Sequence, residues 1–426
     1  MKETLIKNGL VVTASGTQQA DILIQDGRIA AIGKDVGVKA SKSAHSIDAN
    51  GLHVMAGFVD MHCHLRDPGF THKEDIFSGS RAALSGGFTT ICCMPNTNPC
   101  LDNAALIKYV TAVAKEANAA KVYPIGTITK GQKGQELAEL KTMHDRGAIA
   151  FSDDGVPVEN GGLMKLALSY AETFGLLLIC HAEDKSIAGD GVVNEGFNAS
   201  KVGLKGISRV AEEAMTARDI LLAESLNARV HIAHVSTKGS VALVRDAKKR
   251  GVRVTAETCP HYFSITDDAI LTYNTNAKIN PPLREKMDVD AIIEGIKDGT
   301  IDAIATDHAP HHADEKAKEF DLAPFGISGF ETAFGLCYTH LVKTGHITLN
   351  QLTTLLSAAP ARILGLEVGE LKEGAVADLT LVDLKKVYTV DKESFVSKGK
   401  NTIFHGHTLT GAVIKTLVDG EEKLTL

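Results

Sequence analysis

Residues 57–69 read G-F-V-D-M-H-C-H-L-R-D-P-G, an apolar run that ends in two histidines, His62 and His64. On an extended strand, residues i and i+2 face the same side, so both imidazoles can converge on one point while Cys63 between them turns away. A metal ion is the simplest object at that point, and neutral imidazole nitrogens suit Zn²⁺. Two histidines fill only half of a tetrahedral shell, and H-x-H alone is a weak signal.

The same format recurs along the chain. Asp154, His181, His234 and Asp307 each follow a short apolar run, at 148–151, 176–180, 230–233 and 303–305. In all, eight such runs can be read: 57–61, 88–93, 121–127, 148–151, 176–180, 229–233, 252–257 and 301–305. The segments between them have helical apolar spacing, as in Asp102 to Ala117 and Ser208 to Leu226. Alternating β and α units argue for a parallel sheet with helical crossovers. Eight of them predict an α/β fold, a closed (β/α)8 TIM-type barrel. An open doubly wound sheet is the alternative, weakened because no Gly-rich phosphate loop follows the first run.

The two ends differ in texture. Leu10 to Thr13, Asp21 to Ile24 and Ile29 to Ile32 read as short strands, with Asp26-Gly27 as a hairpin turn. Asp378 to Val382, Gly411 to Val418 and the Asp419-Gly420 turn repeat the texture. Each end is too small to bury a core alone. Residues 1–55 and 366–426 are therefore expected to form one composite β-sandwich domain beside a barrel spanning 56–365. Thr348 to Gln351 has the form of a capping box opening a helix through Leu356 toward Ala361 to Leu364. The polar stretch His311 to Phe320 reads as a solvated loop or a lid over substrate.

Composition sets outer limits. The 426 residues exceed the roughly 250 of a lone barrel, and 44% hydrophobic with 23% charged content is that of an ordinary globular protein. A net charge of −7 without a basic patch argues against nucleic acid as a partner, and no apolar stretch approaches the ~20 residues of a membrane span. Seven cysteines without a C-x-x-C pair argue against a disulfide framework or structural zinc. With no apolar signal segment at the N-terminus, the cytoplasm is the expected location.

Barrel active sites are built at the C-terminal ends of strands, where the six candidate ligands fall. Four histidines and two aspartates are too many for one tetrahedral ion, so two metals are implied with one group shared. A carboxylate can bridge, and either Asp154 or Asp307 could do so. Asp154 is preferred because its strand lies between the two histidine sets. Two ions sharing a water lower its pKa and polarise a carbonyl, which points to hydrolysis. Asp307, in A-T-D-H-A-P-H, would act as ligand and general base.

Taken together, H-C-H-L-R-D-P-G, M-P-N-T-N-P at 94–99, S-D-D-G at 152–155, H-A-E-D at 181–184, H-V-S-T at 234–237 and A-T-D-H-A-P-H at 305–311 closely resemble the class I dihydroorotases of the amidohydrolase superfamily. The resemblance implies zinc-dependent, reversible cyclisation of N-carbamoyl-L-aspartate to (S)-dihydroorotate in pyrimidine biosynthesis, with a metal-bound hydroxide attacking the ring amide. It implies one zinc on His62, His64 and Asp307 and a second on His181 and His234. Asp154 would lie between them. Many superfamily members bridge their metals with a carboxylated lysine, whereas here Phe151-Ser152-Asp153-Asp154-Gly155 stands in its place. That places the chain with an aspartate-bridged subgroup. Asp153 competes with Asp154 for the bridge, and a homodimer is the expected assembly.

Charge shapes the substrate reading. Dihydroorotate carries a ring carboxylate, and Arg66 beyond His64 offers a planar fork for it. The resemblance makes Asn96, Asn280 and His311 further substrate contacts, together with His64 and the backbone of Phe325 and Gly326. The nearest rival is a hydantoinase or allantoinase, whose uncharged cyclic diamides give a buried guanidinium nothing to pair with. A non-catalytic scaffold with the same fold is the other rival, and it should lack ligands.

Overall fold

The computed structural model describes residues 2–425. Each of the eight predicted runs overlaps one barrel strand: Phe58–Cys63, Phe88–Cys93, Lys121–Gly126, Ala150–Phe151, Leu178–Cys180, Val230–Ile232, Val254–Thr258 and Ala303–Ile304. All pair in parallel with their sequence neighbours. Strands covered on both faces can be apolar throughout, which explains why they read as runs and not as alternations.

The first and last strands meet mainly at their C-terminal ends. The Asp60 carboxylate accepts from the Thr306 amide at 3.0 Å, and Cys63 bridges to His308. The His64 amide donates to the His308 carbonyl at 2.8 Å. The barrel is thus nearly closed, and its clasp sits among the candidate ligands.

Helix boundaries follow local chemistry. The helix expected from Asp102 begins at Ala104 because the Asn103 side chain accepts from the Ala105 and Leu106 amides, and it ends where Asn118 turns left-handed. Ser208 precedes the helix Arg209–Leu226, which also ends at a left-handed asparagine, Asn227. The Thr348 capping box is reciprocal, its Oγ1 taking the Gln351 amide while Gln351 Oε1 takes the Thr348 amide. That helix runs beyond Leu356. A wider turn at Thr354–Ala358 carries it into Ala359–Leu364, just ahead of Pro360, which has no N–H to continue the ladder.

The chain ends share one hydrogen-bonded sheet, in the order Glu421–Thr425, Thr408–Val418, Leu379–Thr389, His53–Ala56, Glu3–Thr13, Gly16–Gln25, Arg28–Gly33. His45–Asp48 adds to the Glu3–Thr13 strand, and the sheet folds over a core that includes Ile6, Ile22, Val54, Leu381 and Leu417. The join is antiparallel pairing of His53–Ala56 with Leu379–Thr389. Both Asp-Gly turns have positive φ at each residue, the geometry that matches strand twist in a two-residue hairpin. The two turns also touch, because Ala377 donates to the Gly27 carbonyl and accepts from the Gly420 amide.

All five strands read at the two ends are longer than their sequence reading. Glu3–Thr13 passes through polar Lys7-Asn8-Gly9 by way of a register shift, which hid its first half. Leu379–Thr389 and Thr408–Val418 form an arm reaching over the barrel. At the arm's end, Asn401 donates to the Ala309 and Gly326 carbonyls and accepts from the His311 amide. The C-terminal segment therefore braces the loop that follows the last barrel strand.

Candidate active site

The strand ends bring all six candidate ligands together, each of them buried. Asp154 Oδ1 lies 3.4 Å from His62 Nε2, 3.3 Å from His181 Nδ1 and 3.6 Å from His234 Nε2. Its Oδ2 is 3.5 Å from His64 Nε2. Asp307 Oδ1 lies 3.0 Å from His64 Nε2 and 3.6 Å from His62 Nε2. Two donor triads result, His62/His64/Asp154 and Asp154/His181/His234, and Asp154 belongs to both. Burial alone would raise the Asp154 carboxyl, but the His62 charge, with His181 and His234 alongside, holds it well below its ordinary value.

These residues fit a metal pair. His62 Nε2 is buried without a hydrogen-bond partner, while its Nδ1 is held by Glu257 at 2.8 Å. An imidazole fixed at one nitrogen and bare at the other is how a histidine ligand is presented. Imidazole and carboxylate donors suit zinc. Asp153 faces elsewhere, accepting from the Ile128 amide at 2.8 Å and the Thr129 amide at 3.2 Å. Cys63 donates to the Cys92 carbonyl, away from the cluster.

Several supporting groups escaped the sequence reading. Glu257 stands between His62 Nδ1 and His231 Nε2, at 2.8 and 3.3 Å. Burial would raise its carboxyl, yet His231 alongside and the hydrogen bond from His62 hold it down at about 2. Glu183 lies 3.0 Å from His181 Nε2, with Lys185 and the Asn280 amide on the same oxygen. The signal for Glu257 was an acid closing the seventh apolar run, and for Glu183 a place two residues beyond His181.

Three residues here hold left-handed backbone: Arg66 at φ 60°, His234 at φ 35° and Asp307 at φ 45°. Such conformations cost about 1–3 kcal/mol each and persist only where surroundings enforce them.

Above the cluster opens a cavity of about 430 Å³. Two larger clefts, of about 510 and 490 Å³, lie elsewhere and gather no comparable set of buried ligating groups. The candidate substrate residues Arg66, Asn96, Asn280, His311, Phe325 and Gly326 all line the 430 Å³ cavity. Arg66 is no surface ion pair. Its Nε donates to the Pro310 carbonyl at 3.1 Å and its fork reaches His311 Nε2 at 3.2 Å. No carboxylate lies within ion-pair distance of it among the described residues, and burial pulls its guanidinium down to about 10. Asn96 is engaged with the ligands, its Oδ1 at 2.9 Å from His64 Nδ1 and its amide donating to Asp154.

The stretch from His311 to Phe320, read above as a solvated loop or a lid, is solvated at most of its positions and anchored at three. It contains the short helix Ala313–Lys316, and His311, Lys316 and Phe320 are buried while the residues around them face water. Burial, with Arg66, Lys73 and Lys316 nearby, pushes His311 far down, so its ring is neutral.

A family model described as Dihydro-orotase-like matches residues 51–240. The dihydroorotase of Acetivibrio thermocellus is 53% identical over 418 residues, covering 98% of this chain and 97% of that protein. The dihydroorotase of Thermoanaerobacter sp. is 52% identical over 420 residues, covering 98% and 96%. Among solved structures, the L-hydantoinase (dihydropyrimidinase) of Arthrobacter aurescens superposes with a TM-score of 0.88 at 28% identity, covering 99% of this chain and 96% of that one. The dihydropyrimidinase of Brevibacillus agri gives 0.86 at 25%, covering 99% and 95%.

Proposed function

The chain belongs to the dihydroorotase family, and from that premise we propose that it interconverts N-carbamoyl-L-aspartate and (S)-dihydroorotate in pyrimidine synthesis. The observation that carries this over a hydantoinase reading is Arg66, a half-buried guanidinium lining the cavity with no carboxylate in ion-pair contact among the described residues. A ring carboxylate supplies the missing partner, and uncharged cyclic diamides do not.

In this proposal His62, His64 and Asp307 would hold one zinc, His181 and His234 a second, and Asp154 would face both. When bound, such ions acidify a water and polarise a carbonyl. The chain supplies the rest. Arg66 anchors the ring carboxylate and so sets the amide over the ligand cluster. In ring opening, ionised Asp307 takes a proton from the attacking water and delivers it to the departing ring nitrogen. In closure the protonated form runs the same path backwards and helps the carboxylate oxygen leave as water. Barrel residues 56–365 would carry this chemistry, with 1–55 and 366–426 as the supporting domain. The proposal extends to a cytoplasmic homodimer with two zinc ions per chain, which metal analysis and sedimentation would check.

The test compares dihydroorotate with hydantoin and dihydrouracil on one preparation. Dihydroorotate should be strongly preferred, and Arg66→Lys should weaken its apparent binding at least about tenfold while sparing metal content, because an ammonium replaces a bidentate fork. A preference for the uncharged rings, or an unchanged KM for dihydroorotate in the variant, would favour the hydantoinase reading.

A further inference from the structure

One wall of the cavity is the loop Pro324-Phe325-Gly326, which has no regular secondary structure of its own. Gly326 has φ +144°, and a Cβ there would lie 2.5 Å from the Ala309 carbonyl oxygen, so the loop sits tight against the segment after Asp307. A loop this close to a site needs its main-chain groups satisfied by something.

Two buried lysines do this. Lys316 Nζ donates to three carbonyls, those of Pro324 at 2.9 Å, Gly326 at 3.2 Å and Lys278 at 3.3 Å. An ammonium has three N–H groups, and all three are matched. Lys278 Nζ donates to the carbonyls of Phe320 at 2.9 Å and Asp321 at 3.0 Å, and lies 4.8 Å from the centre of the Phe325 ring. The Lys278 carbonyl also accepts from the Gly326 amide at 3.0 Å. The side chains are 6% and 3% exposed, so neither is a surface lysine folded down by chance. No carboxylate pairs with Lys316 among the described residues, and burial pulls it down to about 7.

We propose that Lys316, with Lys278, is a positioning residue for substrate: a cationic clamp that fixes the 324–326 wall against the 278–280 segment carrying Asn280. Lys316 touches neither the ligand cluster nor the cavity surface and acts through the carbonyls it holds. Its removal should therefore loosen substrate binding and leave the bond-making groups in place. The inference rests on the proposed cyclic-amide activity only for its choice of substrate.

Lys316→Met keeps the length of the side chain and removes every donor. We expect KM for dihydroorotate to rise about tenfold or more, the loss of charge-assisted hydrogen bonds, with saturating turnover and metal content close to wild type. Amide exchange over 320–327 should accelerate by a similar factor in the absence of substrate. Lys316→Gln, which restores two donors, should lie between wild type and Lys316→Met in both measurements, and it supplies the reading if the methionine variant does not fold. Unchanged exchange and KM in the variant would overturn the clamp, as would a fall in turnover at unchanged KM. If wild-type protein fails to open dihydroorotate, the functional reading falls, while the exchange measurement still judges the clamp.

Discussion

An Asp307→Asn variant is expected to lose about 10²–10⁴-fold of its turnover in both directions, the range for removing a positioned general acid–base group. In barrier terms this is about 3–5 kcal/mol. The carboxylate stands 3.0 Å from His64 and 3.6 Å from His62, lines the cavity, and closes the last barrel strand in left-handed backbone. Asparagine tolerates that backbone better than most residues, so the substitution tests chemistry more than folding. Its amide has no basic oxygen to take a proton. Ring opening and ring closure should fall by the same factor, because one group serves both. Rates in each direction, with metal content of the same preparation, decide it. A variant that keeps its metals and substantial turnover would remove Asp307 from the proton path.

The second large effect concerns the other donor set. His181→Ala and His234→Ala should each lower metal content from two ions per chain toward one, and reduce activity by at least about a hundredfold, because each histidine supplies about half of one ion's protein ligands. Nδ1 of His181 and Nε2 of His234 both approach Asp154 Oδ1, so loss of either leaves that oxygen facing one imidazole fewer. Cys63→Ala is the matched control, since its sulfur is turned toward the Cys92 carbonyl. Metal quantification on purified protein gives the answer. Two metals per chain in both histidine variants would overturn the ligand assignment.

The barrel was legible because buried parallel strands leave uninterrupted apolar runs, and because ligands sit just past the ends of those runs. Local patterns carried both signals. Glu257, Asp60 and Asn401 were not legible for the opposite reason. Each makes sense only through a partner far along the chain: His62 for Glu257, Thr306 for Asp60 and Ala309 for Asn401. Lys316 was hidden inside a polar stretch whose average character is that of a solvated loop, and burial falls on single residues there. Arg66 shows the intermediate case. Its place two residues beyond His64 marked it as a site residue, while the absence of an ion-paired carboxylate beside it among the described residues shows only in the fold.

The clasp of the barrel also bears on how the protein is made. His64 and Asp307 are 243 residues apart in sequence, which at about 5–20 residues per second separates their synthesis by roughly 12–50 s. Over that interval the strand Phe58–Cys63 has one neighbour on its Phe88–Cys93 side and an open edge on the other. Its neighbour in sequence, His53–Ala56, waits longer still for Leu379–Thr389. Unpaired edges of apolar strands invite pairing with other chains. A nascent chain halted before residue 303 would therefore emerge with two sticky edges and without Asp307, an object for a chaperone or a protease.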